Sequence, residues 1–137
     1  MAVVDASVQV ALVNDADAHH AIAMGWYRKA LTAGETITAP WLLVAEVSAA
    51  LSRGMGNPGL AERAVAELVA QAQVSFVVVD EQLAAHAAQL AAQCGLRGCD
   101  SIYVALAASL DEPLVTLDQD QAQRAAAATT VIQPGGG

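Results

Sequence analysis

At 137 residues and 14.0 kDa the chain is the size of one domain, which excludes a second substrate domain. Hydrophobic residues make up 55% of it and the mean hydropathy is +0.43, which excludes a disordered chain. Fourteen acidic against six basic residues leave a net charge of −8, an acidic field that repels phosphates and lacks the Lys/Arg footprint of an ordinary nucleic-acid binder.

Short β-branched runs alternate with longer Ala/Leu-rich stretches of helical period. Ala2 to Val4 reads as a first strand ending at Asp5, and Ser7 to Val13 as a helix. A second helix runs from Asp17 or Ala18 to Leu31, with Ile22, Trp26 and Ala30 at four-residue spacing. Thr36 to Thr38 forms a short strand closed by Pro40, and Trp41 to Arg53 a third helix, broken by the glycine-rich segment Gly54 to Gly59 before a fourth from Leu60 to Gln71. Val74 to Val79 is the clearest strand. A helix from Leu83 to Gln93 ends at Gly95, and another spans Cys99 to Leu110. The strand Leu114 to Leu117, a helix from Asp118 to about Ala128 and a last strand, Thr130 to Ile132, complete the pattern. Strands apolar on both faces, alternating with helices, predict an α/β three-layer sandwich: a parallel sheet covered by helices on each side. Residues 1–132 form its single domain and residues 133–137 a flexible tail.

Cys94 and Cys99 are too few for a disulfide framework, and nothing before Asp5 has the form of a signal peptide, so a reducing cytoplasmic setting is expected. Apolar runs are broken by charges well before the ~18 residues that a membrane span needs.

In open parallel sheets ligands bind at the carboxyl ends of the strands, and acids stand there. Asp5 ends the first strand and Asp118 the late strand Leu114-Val115-Thr116-Leu117, while Asp100 sits at the head of a helix. Helix capping is the plain account of these three. Glu46 does not fit it. It is the only charged residue in Trp41 to Leu51, with Leu42, Leu43, Ala49 and Ala50 three and four residues away. Such a carboxylate is protonated, paired or bound to a cation, unless Glu46 and Arg53 merely mark a narrow polar stripe. With so few basic residues to pair with, a divalent metal serves better. A pocket of Asp5, Glu46, Asp100 and Asp118 offers hard oxygen donors suited to Mg²⁺ or Mn²⁺. The spacing of Cys94, Cys99 and His86 does not make a zinc site. His19, His20 and His86 read as surface or helix-terminus residues, which leaves no histidine general base.

These four acids, in order and in context, resemble the PIN domain family, specifically its VapC-type toxins of type II toxin–antitoxin systems. The matching pieces are Val3-Val4-Asp5-Ala6-Ser7, Val44-Ala45-Glu46-Val47, the segment from Cys99 to Ala107 around Asp100, and Leu114-Val115-Thr116-Leu117-Asp118, and the likeness runs from Val3 to about Ile132. The resemblance implies a mostly parallel five-stranded sheet in an α/β/α domain and a Mg²⁺- or Mn²⁺-dependent endoribonuclease that activates water for attack on RNA, leaving 5′-phosphate and 3′-hydroxyl ends. By motif, Asp5 and Asp100 are the principal metal ligands, Glu46 and Asp118 complete the site directly or through water, Ser7 and Thr116 supply nearby hydroxyls, and Asp120 is a lesser stand-in for Asp118.

A receiver-type signalling domain is disfavoured because the only lysine, Lys29, lies on an early helix, and an Asp-x-Asp phosphatase because Asp5 is followed at the second position by Ser7. A PIN nuclease of RNA processing outside a toxin pair, and an inactive PIN-like partner-binding module, are the alternatives. The implied partners are RNA, a cognate antitoxin whose arginine neutralises the acids, and a second copy of the chain, with Leu60 to Ala70 and Leu83 to Gln93 as candidate apolar seams. Two bound Mg²⁺ would bring the charge from −8 to about −4, and Arg28, Lys29, Arg53, Arg63, Arg97 and Arg124 are the candidate phosphate contacts.

Overall fold

The computed structural model describes residues 1–136. In chain order its elements are β1 (Ala2–Val4), α1 (Ala6–Val13), α2 (His20–Thr32), β2 (Ile37–Pro40), α3 (Leu42–Met55), α4 (Pro58–Ala70), β3 (Val74–Val77), α5 (Glu81–Cys94), α6 (Gly98–Leu110), β4 (Leu114–Val115), α7 (Gln119–Ala125) and β5 (Val131–Ile132). The strands form one sheet in the order β3-β2-β1-β4-β5, and every pairing is parallel, where a mostly parallel sheet was expected. The architecture is a three-layer α/β/α sandwich.

The apolar strands explain the parallel arrangement. Every residue of β1, β2 and β4 is buried, so neither face of the central sheet meets water. The largest fully buried side chains include Ile37, Leu43, Leu51, Leu68, Tyr103 and Leu114. Helix α6 packs against β1, β2 and β4 and also on α5, while α3 pairs with α4. Strand β1 is central, with Val3 in register with Thr38 of β2 and Leu114 of β4. The chain leaves β1 toward β2 on one side and returns to β4 on the other. The β1/β4 boundary is therefore a topological switch point, and the carboxyl ends of both strands open onto it.

Several boundaries move from their sequence-based positions for identifiable reasons. Helix α3 continues through Gly54 and stops at Gly56, which takes the left-handed conformation at φ 63°. Helix α4 begins at Pro58, because Asn57 accepts from the Leu60 amide at 3.0 Å and proline suits a first helical turn. Pro40 ends β2 from within it, opposite Val77. Strand β3 stops at Val77, leaving Val78 and Val79 exposed. Strand β4 has only two residues because Leu117 turns its amide to the Ser7 hydroxyl at 2.9 Å instead of continuing the ladder. The four-alanine run at the end of α7 folds into a turn after Ala125, and α2 starts at His20, preceded by an Asp17 that accepts from the His19 amide at 2.8 Å.

The stretch expected to be a flexible tail divides. Pro134 is buried, Gly135 lies against Ile22 of α2 and the Gly136 amide donates to the Gln133 carbonyl at 2.9 Å, while Gly137 lies outside the described residues. No helix among the described residues is long and apolar enough to cross a membrane. The exposed apolar surface is not concentrated on α4 and α5. Trp41, stacked on Phe76 at 4.5 Å, stands with Val78 and Val79 around an apolar hollow that Leu42, Cys99 and Ile102 also line.

Candidate active site

Asp5 is the residue at which β1 ends and α1 begins, and both neighbours dictate its surroundings. Its Oδ1 accepts from the Ser7 amide at 3.1 Å, the Ser7 hydroxyl at 2.5 Å and the Val8 amide at 3.4 Å, so it caps α1 as the plain account requires. Its Oδ2 accepts from the Thr116 hydroxyl at 2.5 Å, a bond across the switch point that capping does not explain. The carboxyl is 3% exposed, and burial, assisted by the charge of Asp100, pushes its pKa up to about 6 against the pull of the Ser7, Thr116 and Val8 hydrogen bonds. A group with four donors and a raised pKa is held in place and poorly compensated in charge.

Asp118 caps α7, accepting from the Gln121 amide at 3.1 Å, while its own amide donates to the Thr116 hydroxyl at 3.1 Å. Asp100 departs from the capping account: Arg97 holds the cap position of α6 and Asp100 lies in the first turn. The Arg97 Nε donates to Asp100 Oδ2 at 2.8 Å and one terminal nitrogen donates to Asp118 Oδ2 at 3.4 Å. One guanidinium thus links carboxylates that come from different elements and lie 18 positions apart in the chain, and the Asp100 bond raises the arginine's own pKa further. Asp120 is turned away, paired with Arg124 at 3.0 Å on the exposed side of α7.

Glu46 is half-buried, and its Oε1 accepts from the Tyr103 hydroxyl at 2.5 Å, a neutral partner that the sequence reading did not foresee and that leaves its other oxygen and its charge uncompensated. Tyr103 is buried in α6 one turn beyond Asp100; burial first, and the Glu46 contact second, raise its pKa, so it remains a donor. Glu46 therefore joins the other acids through α6. It shares a cleft of about 550 Å³ with Ser7, Asp17, His19, Leu117 and Asp118.

His19 stands at the N-terminus of α2, as the sequence predicts, and also lines that cleft, with Nδ1 3.6 Å from Asp17 Oδ1. Besides Tyr103, Arg97 and Gln121 escaped the sequence reading. Arg97 stood among six undifferentiated bases, although its three-residue spacing from Asp100 across a helix start is a pairing signal. Gln121 is buried with its Oε1 3.3 Å from the Thr116 hydroxyl and its Nε2 without a partner. The Asp118-x-x-Gln121 spacing, a capping-box pattern, was its signal.

Among the described residues no three His, Cys, Asp or Glu side chains form a ready metal-binding group. The donor chemistry nevertheless fits a hard cation: the acids are oxygen donors only, Asp5 is short of compensating charge, and Asp100 and Asp118 already share one cation.

A model of the PIN domain matches residues 2–127. No curated protein matches the chain. Among solved structures, the sarcin–ricin-loop-cleaving toxin VapC20 of Mycobacterium tuberculosis superposes with a TM-score of 0.75 at 20% identity, over 95% of this chain and 97% of its own. FitAcB of Neisseria gonorrhoeae gives 0.72 at 19%, over 98% and 99%. VapBC2 of Rickettsia felis, solved on a DNA fragment from its promoter, gives 0.68 at 14%, over 96% and 97%.

Proposed function

The chain belongs to the PIN domain family, and from that premise we propose that it is a Mg²⁺- or Mn²⁺-dependent endoribonuclease, the toxin of a type II toxin–antitoxin pair. One observation carries the reading: Asp5, Asp100 and Asp118, from the end of β1, the first turn of α6 and the residue before α7, are tied together at the β1/β4 switch point by Thr116 and Arg97. Acid capping of helices alone gives no reason for the three to meet.

Asp5 and Asp100 would hold the ion, with Asp118 and Glu46 acting directly or through water. When bound, the ion supplies a Lewis acid for the scissile phosphate and lowers the pKa of water. The chain's own part is positional. Ser7 and Thr116 fix the Asp5 carboxylate, Tyr103 fixes Glu46, and the adjoining cleft has room for a nucleotide segment. Water displaces the 3′ oxygen from phosphorus, so the 2′-hydroxyl takes no part and the ends are 5′-phosphate and 3′-hydroxyl.

A protein partner is supported by the apolar surface at Trp41, Val78 and Val79, which suits a second copy of the chain, and by the acids, which suit a basic residue of an antitoxin. Structural neighbours include complexes of toxin with antitoxin.

The test is cleavage of single-stranded and loop RNA by the purified protein. Activity is expected with Mg²⁺ or Mn²⁺ and none in EDTA, and Asp5→Asn and Asp100→Asn should each lower kcat at least ~100-fold with circular dichroism unchanged. Cleavage that persists in EDTA, or in both variants, overturns the nuclease reading. A nuclease whose expression does not arrest growth, or is not relieved by a small DNA-binding protein encoded beside it, is a PIN enzyme outside a toxin pair.

A further inference from the structure

Arg97 is the only basic side chain in contact with the acidic group among the described residues, and its situation is unusual for a structural ion pair. Its side chain is 76% exposed, whereas the Asp100 and Asp118 side chains are 16% and 34% exposed. The guanidinium therefore lies on the solvent side of both carboxylates. It makes no capping hydrogen bond and contacts nothing polar besides the two acids. Exposed pairs of this kind contribute little to stability, so the contact is easily exchanged. The neighbouring backbone is firm by contrast: Leu96 is buried and the Arg97 carbonyl accepts from the Ser101 amide at 2.9 Å, so exchange requires rotation of the side chain alone.

Two consequences follow if a divalent ion occupies the acids, a clause that rests on the function proposed above. The ion and the guanidinium compete for Asp100, because Arg97 takes Oδ2 of that carboxylate, and like charges only a few ångströms apart repel strongly. Once turned out, the guanidinium is held by the head of α6 at the edge of the acids. There the anion available to it is a phosphate of the bound strand, whose paired oxygens match its fork of donors.

We propose that Arg97 is an exchangeable positioning residue: it bridges Asp100 and Asp118 in the metal-free protein, opposes metal loading there, and passes to a substrate phosphate when the metal binds.

The experiment is Mn²⁺ titration calorimetry of the intact protein and of Arg97→Ala, Arg97→Lys and Asp100→Asn, followed by steady-state cleavage of a short RNA. Arg97→Ala should bind Mn²⁺ about two- to thirtyfold more tightly than the parent, the range that two exposed ion pairs set. Its KM for RNA should rise about tenfold, with kcat changing less. Arg97→Lys should keep most of the opposition to metal and recover only part of the KM, because an ammonium lacks the guanidinium fork. A side chain serving stability alone would weaken metal binding when removed, the opposite sign. Mn²⁺ affinity in Arg97→Ala equal to or below that of the parent overturns the proposal, as does an unchanged KM. If the parent protein takes up no Mn²⁺, or takes it up equally in Asp100→Asn, the metal-centre reading itself fails, and that result is distinct from either outcome at Arg97.

Discussion

Asp5 carries an electrostatic penalty whose direction can be worked out. Its folded pKa of about 6 lies above the ordinary 3.8, so the folded chain holds the proton more tightly than the unfolded one. Below about 3.8 both states are protonated and the group is neutral in its effect. Between that value and about 6 stability falls as pH rises, and above it the whole penalty, about 3 kcal/mol, is in place. Asn at this position keeps an oxygen for Ser7 and offers an amide to the Thr116 oxygen. Asp5→Asn in EDTA should therefore be more stable than the parent at pH 7.5 by about 1–3 kcal/mol, raising Tm by about 3–10 °C, with the difference closing by pH 4. Thermal melts across that range check it, and a variant less stable at pH 7.5 sinks the argument. Mn²⁺ should reverse the order, since it favours the ionised carboxylate. At this scale the strand-end acids were legible because the carboxyl ends of parallel strands are where ligands bind, although capping of α1 and α7 accounts for Asp5 and Asp118 as well. Tyr103 was not, because what marks it is a contact across 57 residues that no local pattern encodes.

At the scale of elements, the helices bearing the site were legible in type because alternation of apolar strands with amphipathic helices admits few architectures. Element ends were less so: β4 stops where the Leu117 amide donates to the distant Ser7 hydroxyl oxygen, a tertiary partner, and α7 stops in a local turn where the Ala125 carbonyl accepts from the Ala128 and Thr129 amides. Gly95 is an exception, read correctly as the end of α5, and it can be tested. It holds φ at +67°, and a methyl group there would come within 2.6 Å of Arg124, whose guanidinium donates to the Gly95 carbonyl at 3.2 Å. Gly56 has a similar φ of +63° and open space around it. Both Gly→Ala variants incur the left-handed penalty of about 1–2 kcal/mol, and Gly95→Ala also displaces Arg124. Urea unfolding should rank Gly95→Ala below Gly56→Ala, and both below the parent. Gly95→Ala at or above parental stability would mean that the α5–α6 corner relaxes freely, and would loosen the case for a fixed Arg97 backbone.

At the scale of the whole molecule, the acidity that at first argued against a nucleic-acid substrate is a constraint on how one is held. The bases are scattered: Arg28 and Lys29 on α2, Arg53 on α3, Arg63 on α4, with Arg124 committed to Asp120. Only Arg97 faces the acids, so no continuous basic track exists among the described residues to guide a strand toward them. Binding to single strands weakens with salt by a slope of about −0.7 for each phosphate that a base neutralises. With one or two such contacts, raising salt from about 50 to about 200 mM should lower kcat/KM only about three- to sevenfold. Added salt also screens the repulsion between a chain of net charge −8 and RNA, which moves the loss toward the lower figure. The measurement is kcat/KM on one RNA across that range at fixed Mg²⁺, and Arg97→Ala should flatten it further. A fall of a hundredfold or more would require a basic surface that this arrangement of side chains does not provide, and would point to a further chain or a second copy supplying it.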